Sequence, residues 1–210
     1  MDAEFENIGA VVIGRNEGER LKRCITSLAA VGVVIYIDSG STDGSAQWAH
    51  GSGAEVIELD MGLPFTAARA RNCGFKRLQD IAPRVDYVQF VDGDCEIVSD
   101  WLQTASTFLD SHPNVGAVCG RRRERFPERS IYNWLCDREW EGSPGEVKAC
   151  GGDVMIRASA LAAAGGYRED MIAGEEPELC FRLRAAGWRV WRLDAEMTLH
   201  DAAMIHFSQW

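Results

Sequence analysis

Two aspartates separated by one glycine, Asp92-Gly93-Asp94, follow the apolar run Tyr87 to Val91 and form the segment best suited to hold a cation. A hard divalent ion takes oxygen ligands, keeps several waters and bridges carboxylates to the oxygens of a pyrophosphate. Gly93 lets the chain turn between the acids, although a plain Asp-Gly turn uses the same residues without a metal. Two more polar clusters also close apolar runs: Arg15-Asn16-Glu17 after Ile8 to Ile13, and Asp38-Ser39 after Val33 to Ile37. Open α/β sheets bind ligands beyond the carboxyl ends of their strands, so three clusters at three strand ends point to one crevice.

Those clusters converge only if the apolar runs lie side by side in a sheet. Leu21, Cys24, Ile25 and Leu28 repeat at three- and four-residue spacing, which predicts a helix after the first strand. The turn formers from Asp38 to Ser45 predict a helix to about Gly51 and a short strand, Glu55 to Leu59. Pro64 can open a helix carrying Ala67 to Leu78, because its fixed φ suits a first turn. Ser99 can cap a helix through Trp101, Leu102, Phe108 and Leu109, and Val115 to Cys119 reads as strand. The rhythm weakens after Gly120, then resumes with a loop and strand from Ala149 to Arg157 and helices over Ser159 to Ala164 and Glu175 to Ala186. Trp188 to Leu193 is the last predicted strand. Strands alternating with helices make this an α/β chain with a mostly parallel central sheet flanked by helices. Without a linker or repeat, the chain is expected to be one domain over residues 1–210.

Composition removes several function classes. Lys and Arg total 22 against 32 Asp and Glu, a net charge of −10 that opposes general attraction to nucleic acid, so a phosphate in a ligand must be held locally. The seven cysteines are scattered and never spaced as C-x-x-C, which argues against a zinc knuckle or a disulfide framework and for reduced thiols. The segment Met1-Asp2-Ala3-Glu4 opens no signal peptide, and no uncharged apolar run is long enough to span a bilayer, so the expected setting is cytoplasmic.

Taken together, the motifs resemble the inverting glycosyltransferase family two, whose fold is the Rossmann-like GT-A type. Arg15-Asn16-Glu17, Asp38-Ser39-Gly40-Ser41-Thr42-Asp43-Gly44, Ala70-Arg71-Asn72-Cys73-Gly74 and Asp92-Gly93-Asp94 occur in the family's order and approximate spacing. Gly151-Gly152-Asp153 looks like its acceptor-side loop, and Gly174-Glu175-Glu176-Pro177-Glu178-Leu179 like the acidic catalytic motif opening a helix. The likeness covers about residues 7 to 201. It implies that Glu17 and Asp38 contact the nucleoside, Arg71 the base or phosphates, and Asp92 the ribose, with Arg15, Ser39 and Gly93 in the same donor-binding segments. Asp94 would ligate Mn²⁺ or Mg²⁺ with His200, which lies in Leu199-His200-Asp201, and Gly152 and Asp153 would meet the acceptor. The chain departs from many relatives in having Ser39 rather than a second acid, and Glu175-Glu176 rather than Glu-Asp. The implied partners are a UDP- or GDP-sugar donor and a glycan or lipid-linked acceptor, with peripheral attachment at the inner face of a membrane compatible with the family. The chain ends at Trp210 without a capping glycine or polar tail, and the family's usual chain is expected to continue past residue 205.

Displacement at an anomeric carbon requires the acceptor hydroxyl to lose its proton as it attacks, and Glu176 is the expected base. A place in the first turn of a helix favours its ionised form, although acids at helix starts also serve ordinary charge complementarity. The Arg121 to Arg125 run reads as a solvated face, Trp134 and Trp140 as buried packing, and His206 is given no role. One alternative is a sugar-nucleotide nucleotidyltransferase, disfavoured by the few glycines in Gly14-Arg15-Asn16-Glu17-Gly18. Another is a non-catalytic sugar-nucleotide-binding module, disfavoured by the presence of Asp94, Glu176 and His200. A dinucleotide-dependent oxidoreductase lacks its G-x-G-x-x-G.

Overall fold

The computed structural model describes residues 4–202 and Met204. In chain order it runs β1 (Phe5–Gly14), α1 (Glu19–Ser27), β2 (Val31–Asp38), α2 (Ser45–Gly51), β3 (Glu55–Glu58) and α3 (Ala67–Ile81). There follow β4 (Tyr87–Asp92), β5 (Cys95–Ile97), α4 (Trp101–Ser111), β6 (Val115–Glu124), α5 (Ile131–Glu139) and β7 (Gly145–Glu146). The last elements are β8 (Val154–Arg157), α6 (Ala158–Ala164), α7 (Glu175–Ala185) and β9 (Arg189–His200).

Among the described residues the strands form one sheet in the order β3-β2-β1-β4-β8-β6-β9-β5, with β7 pairing β9. The pairs β1 with β2, β1 with β4, β2 with β3, and β6 with β9 are parallel, while β8, β5 and β7 run against their neighbours. The chain moves outward from β1 through β2 to β3, then returns to the other side of β1 with β4. Loops from β1 and β4 therefore part at that point and leave a crevice beyond their carboxyl ends. Register aligns those ends: Gly14 is opposite Asp38, Ile13 opposite Asp92, and Glu124 opposite His200.

The central strands are apolar on both faces, as helix-covered parallel strands must be: Val11, Val12, Ile35, Ile37, Val88 and Phe90 are all buried. Helix α3 lies so close to β1 that a Cβ on Gly74 would fall well inside contact distance of Val11, so glycine permits the approach that carries Arg71 over the strand ends. Pro64 does not open α3 as expected. Thr66 caps it by accepting the Arg69 N–H at 3.1 Å, and the helix starts at Ala67. Nor does Ser99 cap α4, whose N-cap is Asp100.

Both late strands outrun their apolar cores. β6 continues from Cys119 to Glu124 and β9 from Leu193 to His200, because the two extensions pair with each other in parallel. No helix among the described residues is long and apolar enough to cross a membrane. His206 and the end of the chain past residue 204 lie outside the described residues.

Candidate active site

The loops after β1 and β2 are tied together by short polar side chains. Asn16 takes the left-handed conformation (φ 57°), its Oδ1 accepts the Thr42 N–H at 2.8 Å, and its own N–H donates to Ser41 Oγ at 2.8 Å. Asp38 is buried and caps its loop: it accepts the Tyr36 hydroxyl at 2.8 Å and the N–H groups of Gly40 and Ser41 at 3.0 and 2.7 Å. Ser39 is also buried, and its hydroxyl has no hydrogen-bond partner among the described residues. Arg15 is exposed at the rim, and Glu17 pairs with Arg20 at 2.7 Å. Burial and the nearby Asp94 push the Glu17 carboxyl upward despite Arg20.

Arg71, brought in by α3 and only 3% exposed, joins the strand ends to α7. Its Nη2 is 3.1 Å from Asp92 Oδ1, while Nη1 is 2.8 Å from Glu175 Oε1 and 3.3 Å from Glu176 Oε1. The Tyr167 ring lies beneath the guanidinium at 5.6 Å. Gly152 closes over this pair: a Cβ there would come within 2.5 Å of Arg71 Nη2 and 3.1 Å of Asp92 Oδ2. Glu175 and Glu176 differ in setting, with side-chain exposures of 6% and 20%. Burial raises the Glu176 pKa, with Glu175 and Asp92 adding to the rise and Arg71 opposing it.

Beside Asp92, three donor atoms converge: those of Asp94, Cys95 and His200 lie within 4.8 Å of one another. His200 Nε2 is 3.2 Å from Asp94 Oδ2. Burial lowers the imidazole's pKa, but hydrogen bonds to Asp94 and Glu124 outweigh it and lift the value to about 9. Burial likewise raises the Asp94 carboxyl, and His200 and Arg122 overcome it and bring it down to about 2. Burial drives the Cys95 thiol well above its usual value, and a hard cation prefers the oxygen and nitrogen donors beside it to sulfur. The remaining donors, the Asp94 carboxylate and the His200 imidazole, are of the kinds that would suit Mn²⁺ or Mg²⁺.

Several residues have settings that differ from the sequence-based expectations. The Arg121 to Arg125 run is not a solvated face, because Arg121 to Glu124 form the second half of β6, with their side chains on alternate sides of the sheet. Arg122 turns inward, 3.4 Å from Asp92, 3.9 Å from Asp94 and 3.6 Å from Asp153, with its guanidinium 4.7 Å over the Trp140 ring. Glu124, whose side chain is fully buried, lies 2.9 Å from His200 Nδ1. Asp153, expected on the acceptor side, is buried, accepts the Asp92 N–H at 3.0 Å and the Thr198 hydroxyl at 2.8 Å, and so braces the Asp92 turn from within. Trp134 is 46% exposed on α5 rather than packed in the core. Trp140 meets His200 edge-on at 4.9 Å. Arg122 and Glu124 are concealed because a run of charges hides a strand, and the signal that points to it is the strict apolar-polar alternation of the partner strand from Leu193 to His200.

A switch-point crevice rimmed by carboxylates from several strand ends, faced by an acid-opened helix, is the arrangement of an α/β domain of GT-A type. The profile of glycosyl transferase family 2 matches residues 10–155, and the chain belongs to that family. Over 185 residues it is 30% identical to the succinoglycan biosynthesis protein ExoA of Rhizobium meliloti (strain 1021), covering 84% of this chain and 55% of that protein. The chain spans about half the length of the curated relatives it matches. The fold is similar to that of S. aureus TarS 1-349 solved with UDP-GlcNAc, with a TM-score of 0.74 at 16% identity over 95% of this chain and 59% of that one. It is also similar to the mannosyltransferase PcManGT of Pyrobaculum calidifontis solved with GDP-Man and Mn²⁺, with a TM-score of 0.67 at 19% identity over 93% of this chain and 57% of that one.

Proposed function

We propose that this chain is the catalytic domain of a metal-dependent, inverting glycosyltransferase that moves a sugar from a nucleoside diphosphate sugar to an acceptor hydroxyl. The observation that carries the reading is the double contact of Arg71, with Asp92 at 3.1 Å and Glu176 at 3.3 Å, which sets the helix acids across the crevice from the strand-end acids. A donor seated at the strand ends then presents its anomeric carbon toward Glu176.

The loops of Arg15 to Glu17 and Asp38-Ser39 hold the nucleoside, Asp92 the ribose, and Asp94 and His200 the cation. A bound Mn²⁺ or Mg²⁺ supplies positive charge to the diphosphate as it leaves. In a single displacement the acceptor oxygen bonds to the anomeric carbon, the bond from that carbon to the phosphate oxygen breaks, and the hydroxyl proton passes to Glu176. Glu176 suits this role better than Glu175, which is more deeply buried and tightly paired to Arg71. Arg71 holds the acids in place rather than reaching for the base. The donor class is a UDP- or GDP-sugar, and the relation to a succinoglycan biosynthesis protein supports a glycan acceptor.

The test is Glu176→Gln. It should bind the nucleotide sugar as the wild type does and lose transfer, with the wild-type product carrying the inverted anomeric configuration by NMR. Loss of donor binding and transfer together in that variant, or a product of retained configuration, would contradict the reading.

A further inference from the structure

We infer that Glu124 is the positioning residue for the cation site, fixing which nitrogen of His200 faces the metal. The inference rests on the metal-dependent reading of Asp94 and His200 given above. An imidazole ligand offers a lone pair from one nitrogen only when the other carries the proton, and a carboxylate bonded to that N–H sets both tautomer and ring orientation. Glu124 Oε2 stands 2.9 Å from His200 Nδ1, on the side of the ring away from Asp94, which lies 3.2 Å from Nε2. The parallel register of β6 and β9 puts the two residues directly opposite each other, so the sheet itself aligns them.

Glu124 is itself immobilised. Its Oε2 also accepts the Ala202 N–H at 3.2 Å, and Oε1 accepts the Phe126 N–H at 3.1 Å and the Asn133 side-chain amide at 3.3 Å. Asn133 in turn donates to the carbonyls of Phe126 and Ala202 at 3.1 and 2.9 Å. The Phe126, Asn133 and Ala202 groups bonded to this carboxylate are all donors, so it serves as an acceptor and faces the ring with Nδ1–H as its matching donor. Nε2, which faces Asp94 at 3.2 Å, is then the nitrogen that would give up its proton to a bound cation. A buried carboxylate serving only as a loop brace would need the backbone and Asn133 contacts, but not the imidazole.

Glu124→Gln places an amide NH₂ against donors and removes the preference for Nδ1–H. Mn²⁺ is titrated in the presence of UDP and, in parallel, GDP, with free Mn²⁺ read by EPR, for wild type, Glu124→Gln, His200→Ala and the double variant. Each single variant is expected to weaken Mn²⁺ binding by about 10- to 100-fold, the range typical of outer-shell partners. The double variant should bind no more weakly than His200→Ala, because Glu124 acts through His200. Unchanged binding in Glu124→Gln, or losses that multiply in the double variant, would overturn the role of Glu124 alone. Unchanged binding in His200→Ala would overturn the metal reading beneath it. Wild-type protein with Mg²⁺ and the nucleotide supplies a measurement independent of any variant's folding: the imidazole ¹⁵N shifts of His200 should report a proton on Nδ1, and a proton on Nε2 would refute the inference.

Discussion

Arg71 Nη1 stands 2.8 Å from Glu175 Oε1, joining α3 to α7 through two side chains that are both almost fully buried. The pair ties the donor-side helix to the helix whose first turn carries the acids. Because Arg71 also holds Asp92, one guanidinium sets the width of the crevice.

Removing one partner of a buried ion pair leaves an uncompensated charge, which costs about 3–5 kcal/mol. Arg71→Met should lower unfolding free energy by about that amount in urea, and adding Glu175→Gln should recover part of the loss. A near-neutral Arg71→Met would mean that the acids are hydrated rather than paired.

Glu176 must be ionised to act as a base, so activity is present above its pKa and is lost as pH falls through it. Burial raises that pKa above the ordinary 4.5, so the acidic limb of the kcat/KM profile should lie above 4.5. Glu175, a negative neighbour, contributes to the rise, and Glu175→Gln should move the limb to lower pH. A limb at or below 4.5, or one unmoved by that substitution, would count against Glu176 as the base.

Arg122 neutralises Asp92, Asp94 and Asp153 from within 3.4 to 3.9 Å and opposes a cation in the same place. Arg122→Met should lower the melting temperature of the metal-free protein and enlarge the upward shift produced by Mn²⁺. An unchanged or smaller Mn²⁺ shift would show that Arg122 and the ion do not compete for the acids.

Gly152→Ala introduces a methyl 2.5 Å from Arg71 Nη2 and 3.1 Å from Asp92 Oδ2. Overpacking of this kind costs about 1–3 kcal/mol. Displacement of the two side chains should also weaken nucleotide binding, measured by calorimetry beside a thermal melt, and full retention of both would contradict the close packing described.

The strand-end motifs were readable because short apolar runs, turn residues and acids keep their local meaning wherever the chain goes. Asp92-Gly93-Asp94 closes β4 as expected, and Glu175 opens α7. The polar half of β6 was not readable, since Arg121 to Glu124 has no apolar pattern and is a strand only because β9 pairs with it; β9 does alternate apolar and polar residues from Leu193 to His200, beyond the Trp188 to Leu193 strand expected there. That pairing brings Glu124 to His200 across 76 positions of sequence, a contact without local signature. The bracing role of Asp153 was unreadable for a related reason: its contact beneath the Asp92 turn joins positions 61 residues apart.

In the proposed reaction Asp94, just after β4, and His200, at the end of β9, hold a cation which in turn holds the donor's diphosphate. Calorimetric titration of UDP and GDP into wild type and Asp94→Ala, each with and without Mn²⁺, tests it directly. The account predicts that Mn²⁺ strengthens binding of one nucleotide to the wild type and that this gain disappears in Asp94→Ala. Equal binding with and without the ion in the wild type, or a gain that survives in the variant, would contradict it.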